Sequence, residues 1–519
     1  MAFEPVFVDP RGGGRDNARN AKPTNGAAPG ADPRRPMVVT VVAAPTRADA
    51  AAAQVAAPRP RVDYEAVKTL RRHVSEALAE WLRGRDAPDD EQRGERERLA
   101  RLLVAEYADS ARRTGTPLSG AHEQALADAV AADLVGLGRI QALLADPSIE
   151  EVHILGCDRV RITRRDGSVD VGEPVADSDE ELVELLQGVA RRAGATERSL
   201  STAKPTLDLQ LPDGSRLAAV YVVSHRPYAV IRRHNTLHVT LDEIAGSRAD
   251  LDEMLDALLV DFLRAAMRAG LNIMVAGLPG AGKTTVLRAL AAEIPELEPF
   301  VLLEESRELG FQNSDSHPWV MSFESREGHG ERGPDGRPAG ELTIGDLFPV
   351  GLRMGAQRII VGEVRSREIV PMLQAMGTSR GSLCTIHART PAAVTERIIE
   401  LALSHGREAT VEHATRMAGN ALDLIVYVTL EDETGIGGRK HRFVSHIEEV
   451  IGVGEGARIA TTTVFGPGVD GRAVPRHLPE RVGEQLLRAG YDSRVLAPHI
   501  EAGAGVWRRP RNSLLRRQP

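Results

Sequence analysis

The run from Gly277 to Thr285, GLPGAGKTT, constrains this chain more than any other feature, because it completes the pattern G-x-x-x-x-G-K-[ST]. Gly277, Gly280 and Gly282 let the backbone bend so tightly that successive N–H groups, those of Ala281 and Thr285 among them, can aim at one polyphosphate. Lys283 adds a charge and Thr284 a hydroxyl suited to magnesium. The flanks agree with this reading. Asn272 to Ala276 is a short apolar run of strand type, and Thr285 to Ile294 carries Val286, Leu287, Leu290 and Ile294 at helical spacing before Pro295 stops it. Strand, glycine loop and helix start make an anion site, since unpaired N–H groups and the helix dipole converge there.

A chain of 519 residues is too long for one core, and 42% hydrophobic residues make it globular. A net charge of −8 gives no general pull toward nucleic acid, and 3% aromatics leaves few platforms for stacking bases, so nucleic acid is not an expected partner. The two cysteines, Cys157 and Cys384, are too few for a disulfide framework or a zinc site and read as small core residues in a reducing compartment. With no long apolar stretch and no leader-like start, a cytosolic protein is expected.

Composition and periodicity divide the chain. Residues 1–60 are dense in Ala, Gly, Pro and Arg without apolar spacing and read as a disordered arm. At 61–115, Val67, Leu70, Val74, Leu78, Trp81 and Leu82 share one helical face; with a second helix near Leu99 to Tyr107, after the charged break APDDEQRGERER, they predict a helical hairpin. Residues 125–236 alternate strands and helices: IEEVHIL, DRVRITR, a helix near Glu180 to Arg192, two runs joined at Pro212-Asp-Gly214 as a hairpin, and YAVIRR. That pattern is an α+β domain. A looser linker at 237–250 reads as a hinge, and 251–465 as the domain of the phosphate loop, starting with a helix at Leu251 to Met267. Its further strands are FVLLEE, RIIVGE, SLCTIHA and LDLIVYVTL, a mostly parallel sheet wrapped by helices, with an antiparallel ribbon at Arg439 to Val464. Gly452, Gly454 and Gly456 resemble a dinucleotide loop but precede a strand, so they read as a turn. The extension at 466–519 ends in a basic tail, WRRPRNSLLRRQP, read as solvated or as touching an anionic membrane face.

Phosphoryl transfer needs positioning and charge more than covalent help. Ile359 to Val361 lead to Glu363 at a strand's carboxyl end, placed to hold magnesium through water or to orient the attacking water. Of the adjacent pair Glu304 and Glu305 only one can reach the phosphates, because neighbouring strand residues point to opposite faces; Glu304 is the expected one. His387 closes the Ser382 to Ile386 run, in place to sense a γ-phosphate. His234 and His238, four apart, lack a third ligand for a metal.

Taken together these motifs resemble the type II/type IV secretion ATPase superfamily, and most closely its CpaF-like branch, which serves tight-adherence (Flp) pilus assembly. The similarity runs from about Gly136 to Val464: GLPGAGKTT matches the Walker A motif, VLLEESREL the Asp box, LRMGAQRIIVGEVR the Walker B region and GSLCTIHAR the His box. The resemblance implies a RecA-like P-loop core of α/β type behind a smaller α+β domain, and a homohexameric ATPase using ATP and Mg2+. It places Lys283 and Thr284 on phosphate and magnesium, Glu304 and Glu363 on magnesium and water, and His387 near the γ-phosphate. Arg216 and Arg232 match arginines that such proteins present from the amino-terminal domain, and Arg326 a further one. Glu305 stands where Asp is usual, TSRGS replaces TGHDGS, and Arg389 replaces Asn.

The leading expectation is therefore a motor for pilus assembly or protein secretion, at the inner face of the cytoplasmic membrane with an integral-membrane platform protein as partner. An ATP-binding scaffold with little hydrolysis and a conjugative DNA-transfer motor stay open beside it.

Overall fold

The computed structural model describes residues 62–85, 87–135, 138–192, 200–211, 213–233, 239–247, 252–311, 316–326, 328, 332–333, 336–404, 410–456, 458–511 and 513–515. The arm at 1–60, His234, His238, and Arg516 and Arg517 of the tail lie outside them.

Val67, Leu70 and Val74, three and four residues apart, give α1 (Tyr64–Leu82) an apolar face, and the Asp63 carboxylate caps its start by accepting from the Glu65 and Ala66 N–H groups. This face packs against α2 (Asp89–Arg113) and α3 (Gly120–Val135) around Leu99, Val104, Leu126 and Val130. The bundle thus has three helices where the sequence predicts a hairpin of two. Two helices alone leave part of each apolar stripe wet, and Leu126 and Val130 cover it. The supposed charged break is helical from Asp89 onward, since Glu, Gln and Arg are good helix formers and Arg98 pairs with Glu95 one turn before it, at 2.6 Å.

After the short α4 (Ile140–Leu144) comes a six-stranded antiparallel sheet: β1 (Ile149–Leu155), β2 (Arg159–Arg164), β3 (Val169–Gly172), then α5 (Asp179–Arg192), β4 (Thr206–Gln210), β5 (Arg216–Val220) and β6 (Tyr228–Arg232). The spatial order is β3-β2-β1-β6-β5-β4. Val152, Ile154, Leu182, Leu186, Leu209, Leu217 and Ile231 fill its core. The predicted hairpin joins β4 to β5, with Gly214 at φ +84, which suits glycine. Arg216 and Arg232 are direct cross-strand partners and so share one face of the sheet.

Of the predicted hinge, residues 239–247 are described, and they are not loose. Val239, Leu241, Ile244 and Ala245 are all buried against the second sheet's core. Helix α6 (Ala257–Ala269) begins six residues later than its apolar run suggests, because Asp256 caps it by accepting from the Leu259 N–H at 2.9 Å. Asp252 to Leu255 runs alongside the sheet instead, the Val444 N–H donating to the Met254 carbonyl at 2.9 Å.

The second sheet has nine strands. They are β7 (Ile273–Gly277), β8 (Phe300–Glu304), β9 (Val320–Glu324), β10 (Arg358–Val364), β11 (Leu383–His387), β12 (Leu424–Asp432), β13 (Lys440–Val453), β14 (Ile459–Pro467) and β15 (Ala473–Pro475). Their order is β15-β14-β13-β12-β7-β11-β10-β8-β9, parallel from β12 through β9 and antiparallel from β12 through β15. On one face lie α6 and α7 (Lys283–Ala291); on the other lie α8 (Ile344–Arg353), α9 (Ile369–Thr378), α10 (Ala393–Leu403) and α11 (Val411–Ala421). The Gly452 to Gly456 segment turns between β13 and β14, as expected from the strand that follows it.

The tail is not simply solvated. Val506 N–H donates to Asp256 at 2.7 Å, the Arg508 and Arg509 N–H groups donate to Glu253, and Trp507 lies under the Arg472 guanidinium at 4.4 Å. Arg511 pairs with Glu431 and stacks on Phe443, while Ser513 and Leu514 bond Glu433. Backbone N–H groups and guanidinium planes find fixed carboxylates and rings here, which the charge count alone does not reveal. Among the described residues no helix is long and apolar enough to cross a membrane.

Candidate functional site

Four parallel strands bring their carboxyl ends together at one edge, the place where such sheets bind ligands. Gly277 at the end of β7 lies opposite His387 of β11 on one side and Val428 of β12 on the other. β10 follows β11 and ends in Glu363-Val364, and β8 follows β10 and ends at Glu304 with Glu305 just beyond.

The glycine loop leaves β7 at a point that only glycine fits: at Gly277, φ is +154 and an added Cβ would lie 2.4 Å from the Val428 carbonyl oxygen. Gly282, at φ +94, is the N-cap of α7 and brings no capping side chain, so the first-turn N–H groups of Lys283, Thr284 and Thr285 face the loop's hollow. Thr284 and Thr285 are half-buried, and Ala281 is fully buried at the base.

Lys283 is 6% exposed. Its Nζ donates to the Leu278 carbonyl at 3.1 Å and to His387 Nδ1 at 2.9 Å. Burial lowers its pKa to about 8, Arg232 and Arg365 pushing the same way against the pull of Glu363. His387 Nε2 lies 2.6 Å from Glu363 Oε1, and Arg365 Nη2 donates to Glu363 Oε2 at 2.8 Å. The proton that suits both histidine contacts is on Nε2, leaving Nδ1 to accept from the lysine. The histidine and Glu363 Oε1 come close without hydrogen-bond alignment, so this buried oxygen keeps acceptor capacity. Burial raises the Glu363 carboxyl, but His387 and Arg365 outweigh it and hold the pKa at about 2. Arg365 Nη1 continues the chain to Glu305 Oε2 at 2.9 Å.

Of the adjacent acids, then, Glu305 joins the cluster and Glu304 does not, the reverse of the expected orientation. The alternation along β8 explains it. Phe300 and Leu302 pack on the α7 side of the sheet, so Glu304 follows them there, while Val301, Leu303 and Glu305 take the other side, as does Glu363 after Ile359 and Val361. Glu304 is 2% exposed, and its Oε1 accepts from the Glu308 and Leu309 N–H groups, both at 2.8 Å. Burial pushes its pKa up to about 7 despite those two bonds. Its work is to shape the loop that carries Glu308.

Glu308 meets the amino-terminal sheet: Arg216 Nη1 donates to it at 2.6 Å while Nε and Nη2 hold Asp208. Arg232, the cross-strand neighbour of Arg216, sits 3.6 Å from Glu151 and close enough to Lys283 to depress its pKa. Arg326 lines the same cleft as Arg216 and Glu305, its Nε donating to the Gly340 carbonyl at 2.6 Å. Arg389 is exposed, and its carbonyl accepts from the Tyr427 hydroxyl at 2.7 Å. Between Arg216, Asp208 and Glu305 and the β8–β9 side lies a cleft of about 1030 Å³.

Arg365, Glu308 and the Glu305 orientation escape sequence reasoning. For Arg365 a signal existed, since it lies two residues beyond Glu363 and period-two spacing keeps both on one side.

A magnesium ion bound with nucleotide would fit this edge. The donors present are the Thr284 hydroxyl and the ionised Glu363 carboxylate with its unaligned Oε1, hard oxygens of the type that ion takes alongside water and phosphate.

Among curated relatives, an uncharacterised protein of Methanocaldococcus jannaschii, MJ0900, is 28% identical over 269 residues, 51% of this chain but 45% of its own length. The type IV secretion system protein PtlH of Bordetella pertussis is 28% identical over 265 residues, covering 47% of this chain and 75% of PtlH. Among solved structures, the VirB11 ATPase of the Brucella suis type IV secretion system, in complex with sulphate, aligns with TM-score 0.31 and 24% identity over 63% of this chain and 96% of that one. The family described as type II/IV secretion system protein matches residues 133–430, which takes in the first sheet, the second sheet from β7 to within β12, and every residue of the Lys283, His387, Glu363 and Arg365 cluster. The chain belongs to the type II/IV secretion system protein family.

Proposed function

We propose that this protein is a magnesium-dependent ATPase motor of the CpaF-like branch that works as a homohexamer on the inner face of the cytoplasmic membrane, where it drives pilus assembly or protein secretion through an integral-membrane platform protein. One observation carries the reading: the chain of contacts from Lys283 through His387, Glu363 and Arg365 to Glu305 runs along the carboxyl edge of the parallel sheet, beside a glycine loop that opens a helix. Phosphate, a γ-phosphate sensor and an ionised carboxylate for water are the three needs of nucleotide hydrolysis, and these side chains supply partners for each.

In this account Gly277, Gly280, Ala281 and Gly282 shape the loop, and Lys283, Thr284 and Thr285 bind the β- and γ-phosphates. Thr284 and Glu363 would hold magnesium, which would supply charge compensation for the phosphates. Glu363 orients the attacking water, and His387 turns on its contacts with Lys283 and Glu363 to report the γ-phosphate. Glu304 acts at one remove, by shaping the Glu305 to Leu309 loop. Arg216 and Arg232 reach the site from a separate sheet, so hydrolysis and the placement of that sheet are linked. PtlH is named as a type IV secretion system protein, and this supports a role in secretion or assembly for the present chain.

Phosphate release resolved by oligomer size tests the reading. Activity should elute with the hexamer and rise when vesicles carrying the platform protein are added. Tight ATP binding with negligible turnover in every fraction would select a scaffold instead.

The lysine adds a pH dependence. With a free-site pKa of about 8, Lys283 must be protonated to hold phosphate, so binding takes up a proton once the pH exceeds that value. ATP affinity should therefore be flat below pH 7 and fall by up to about tenfold per pH unit above 8. Affinity that rises between pH 8 and 9 would contradict the assignment.

A further inference from the structure

Against the glycine loop sits a residue that no motif singles out. Arg442 belongs to β13, opposite Leu430 of β12, and its side chain is 18% exposed. Its Nε donates to the Gly280 carbonyl at 2.9 Å. Nη2 donates to Glu150 at 3.1 Å, and Nη1 lies 3.8 Å from Asp252. One guanidinium thus joins the loop, the first strand of the amino-terminal sheet and the segment that leads into α6.

Each partner is itself held. Glu150 sits in β1, its carbonyl accepting from the Arg233 N–H at 2.9 Å, and Asp252 begins the stretch in which Met254 bonds Val444 of β13. The loop is packed on this side as well, since a Cβ at Gly282 would come within 3.0 Å of Met254 Cε and 3.7 Å of Arg442 Cδ. A trans peptide aims its C=O and N–H in opposite directions, so anchoring the Gly280 oxygen on Arg442 also sets where the Ala281 N–H aims, here at the Leu278 carbonyl at 3.2 Å across the loop. A loop that binds an anion through converging N–H groups is sensitive to such an anchor.

We propose that Arg442 is a positioning residue that keeps the glycine loop in its binding shape and, through Glu150, makes that shape depend on the docking of the amino-terminal sheet. The inference rests on the reading of the loop as a nucleotide site. It goes beyond that reading by naming a link between loop and sheet that does not pass through Arg216 or Arg232. A lysine cannot replace the arginine here, because a point charge reaches the carbonyl or the carboxylate but does not fork to both.

The test uses the full chain and a fluorescent ADP analogue, with thermal melting as a check on folding. Arg442→Ala should weaken nucleotide binding about tenfold, the loss of one charge-assisted bond and its geometry. Glu150→Gln should weaken binding about threefold in the parent but have no added effect once Arg442 is Ala or Lys, the sign of a shared network. Arg442→Lys should melt like the parent yet lose the Glu150 dependence. Hydrogen exchange without nucleotide gives a second readout: the loop amides at 277–285 should exchange about tenfold faster in Arg442→Ala and in Arg442→Lys. Additive effects of the two sites on binding, or loop exchange equal to the parent in both arginine variants, would overturn the inference. A parent that binds no nucleotide would overturn the functional reading, and the exchange experiment would still decide the positioning role.

Discussion

Lys283→Ala is expected to reduce ATP binding and hydrolysis by on the order of 10² or more while leaving the fold intact. The lysine is 6% exposed and its charge is already strained by burial, which lowers its pKa to about 8. A buried cation is costly unless something compensates it, and in this structure it leans on the Leu278 carbonyl, on His387 and on the field of Glu363. Removing the charge therefore relieves the free protein and deprives only the phosphate-bound form. The melting temperature of Lys283→Ala should equal that of the parent or exceed it. Fluorescent-nucleotide titration and phosphate release check the claim, and a variant that binds and hydrolyses ATP as the parent does contradicts it.

Glu363→Gln is expected to separate binding from chemistry. The carboxylate is ionised throughout the working pH range, its pKa held at about 2 by His387 and Arg365 against the effect of burial. Gln keeps the size but loses the charge proposed to orient water and meet magnesium, so hydrolysis should fall by on the order of 10² or more while ATP affinity stays within about threefold. Arg365 retains Glu305 as a partner at 2.9 Å, which keeps the loops in place. Single-turnover measurements distinguish the outcomes, and an unchanged chemical rate would remove Glu363 from the reaction.

Much of this arrangement was legible in the sequence, and the exceptions have physical causes. β7, β8, β10, β11 and β12 are buried on both faces, so they read as continuous apolar runs such as RIIV and LIVYV. β3 and β9 escape notice because VDVG is short and mostly exposed and VMSFE is only partly buried, with no pattern to separate them from loop. The glycine loop is legible because its geometry is set by local residues, Gly277 above all. The choice between Glu304 and Glu305 is not, since alternation says that the two diverge but not which face carries the site. Arg365 meets Glu305 across 60 residues and Arg442 meets Glu150 across 292, contacts that exist only once the sheets are assembled. The docked tail belongs with these, because a run of arginines has the same composition whether it is solvated or bound to Glu253, Glu431 and Glu433.

Calorimetric titration of the purified full chain with ATP and magnesium at neutral pH tests the central claim most directly. The account predicts saturable binding at a single class of sites, lost in Lys283→Ala and preserved in Glu363→Gln. Heats no different from dilution for the parent chain, or equal binding by Lys283→Ala, would contradict it.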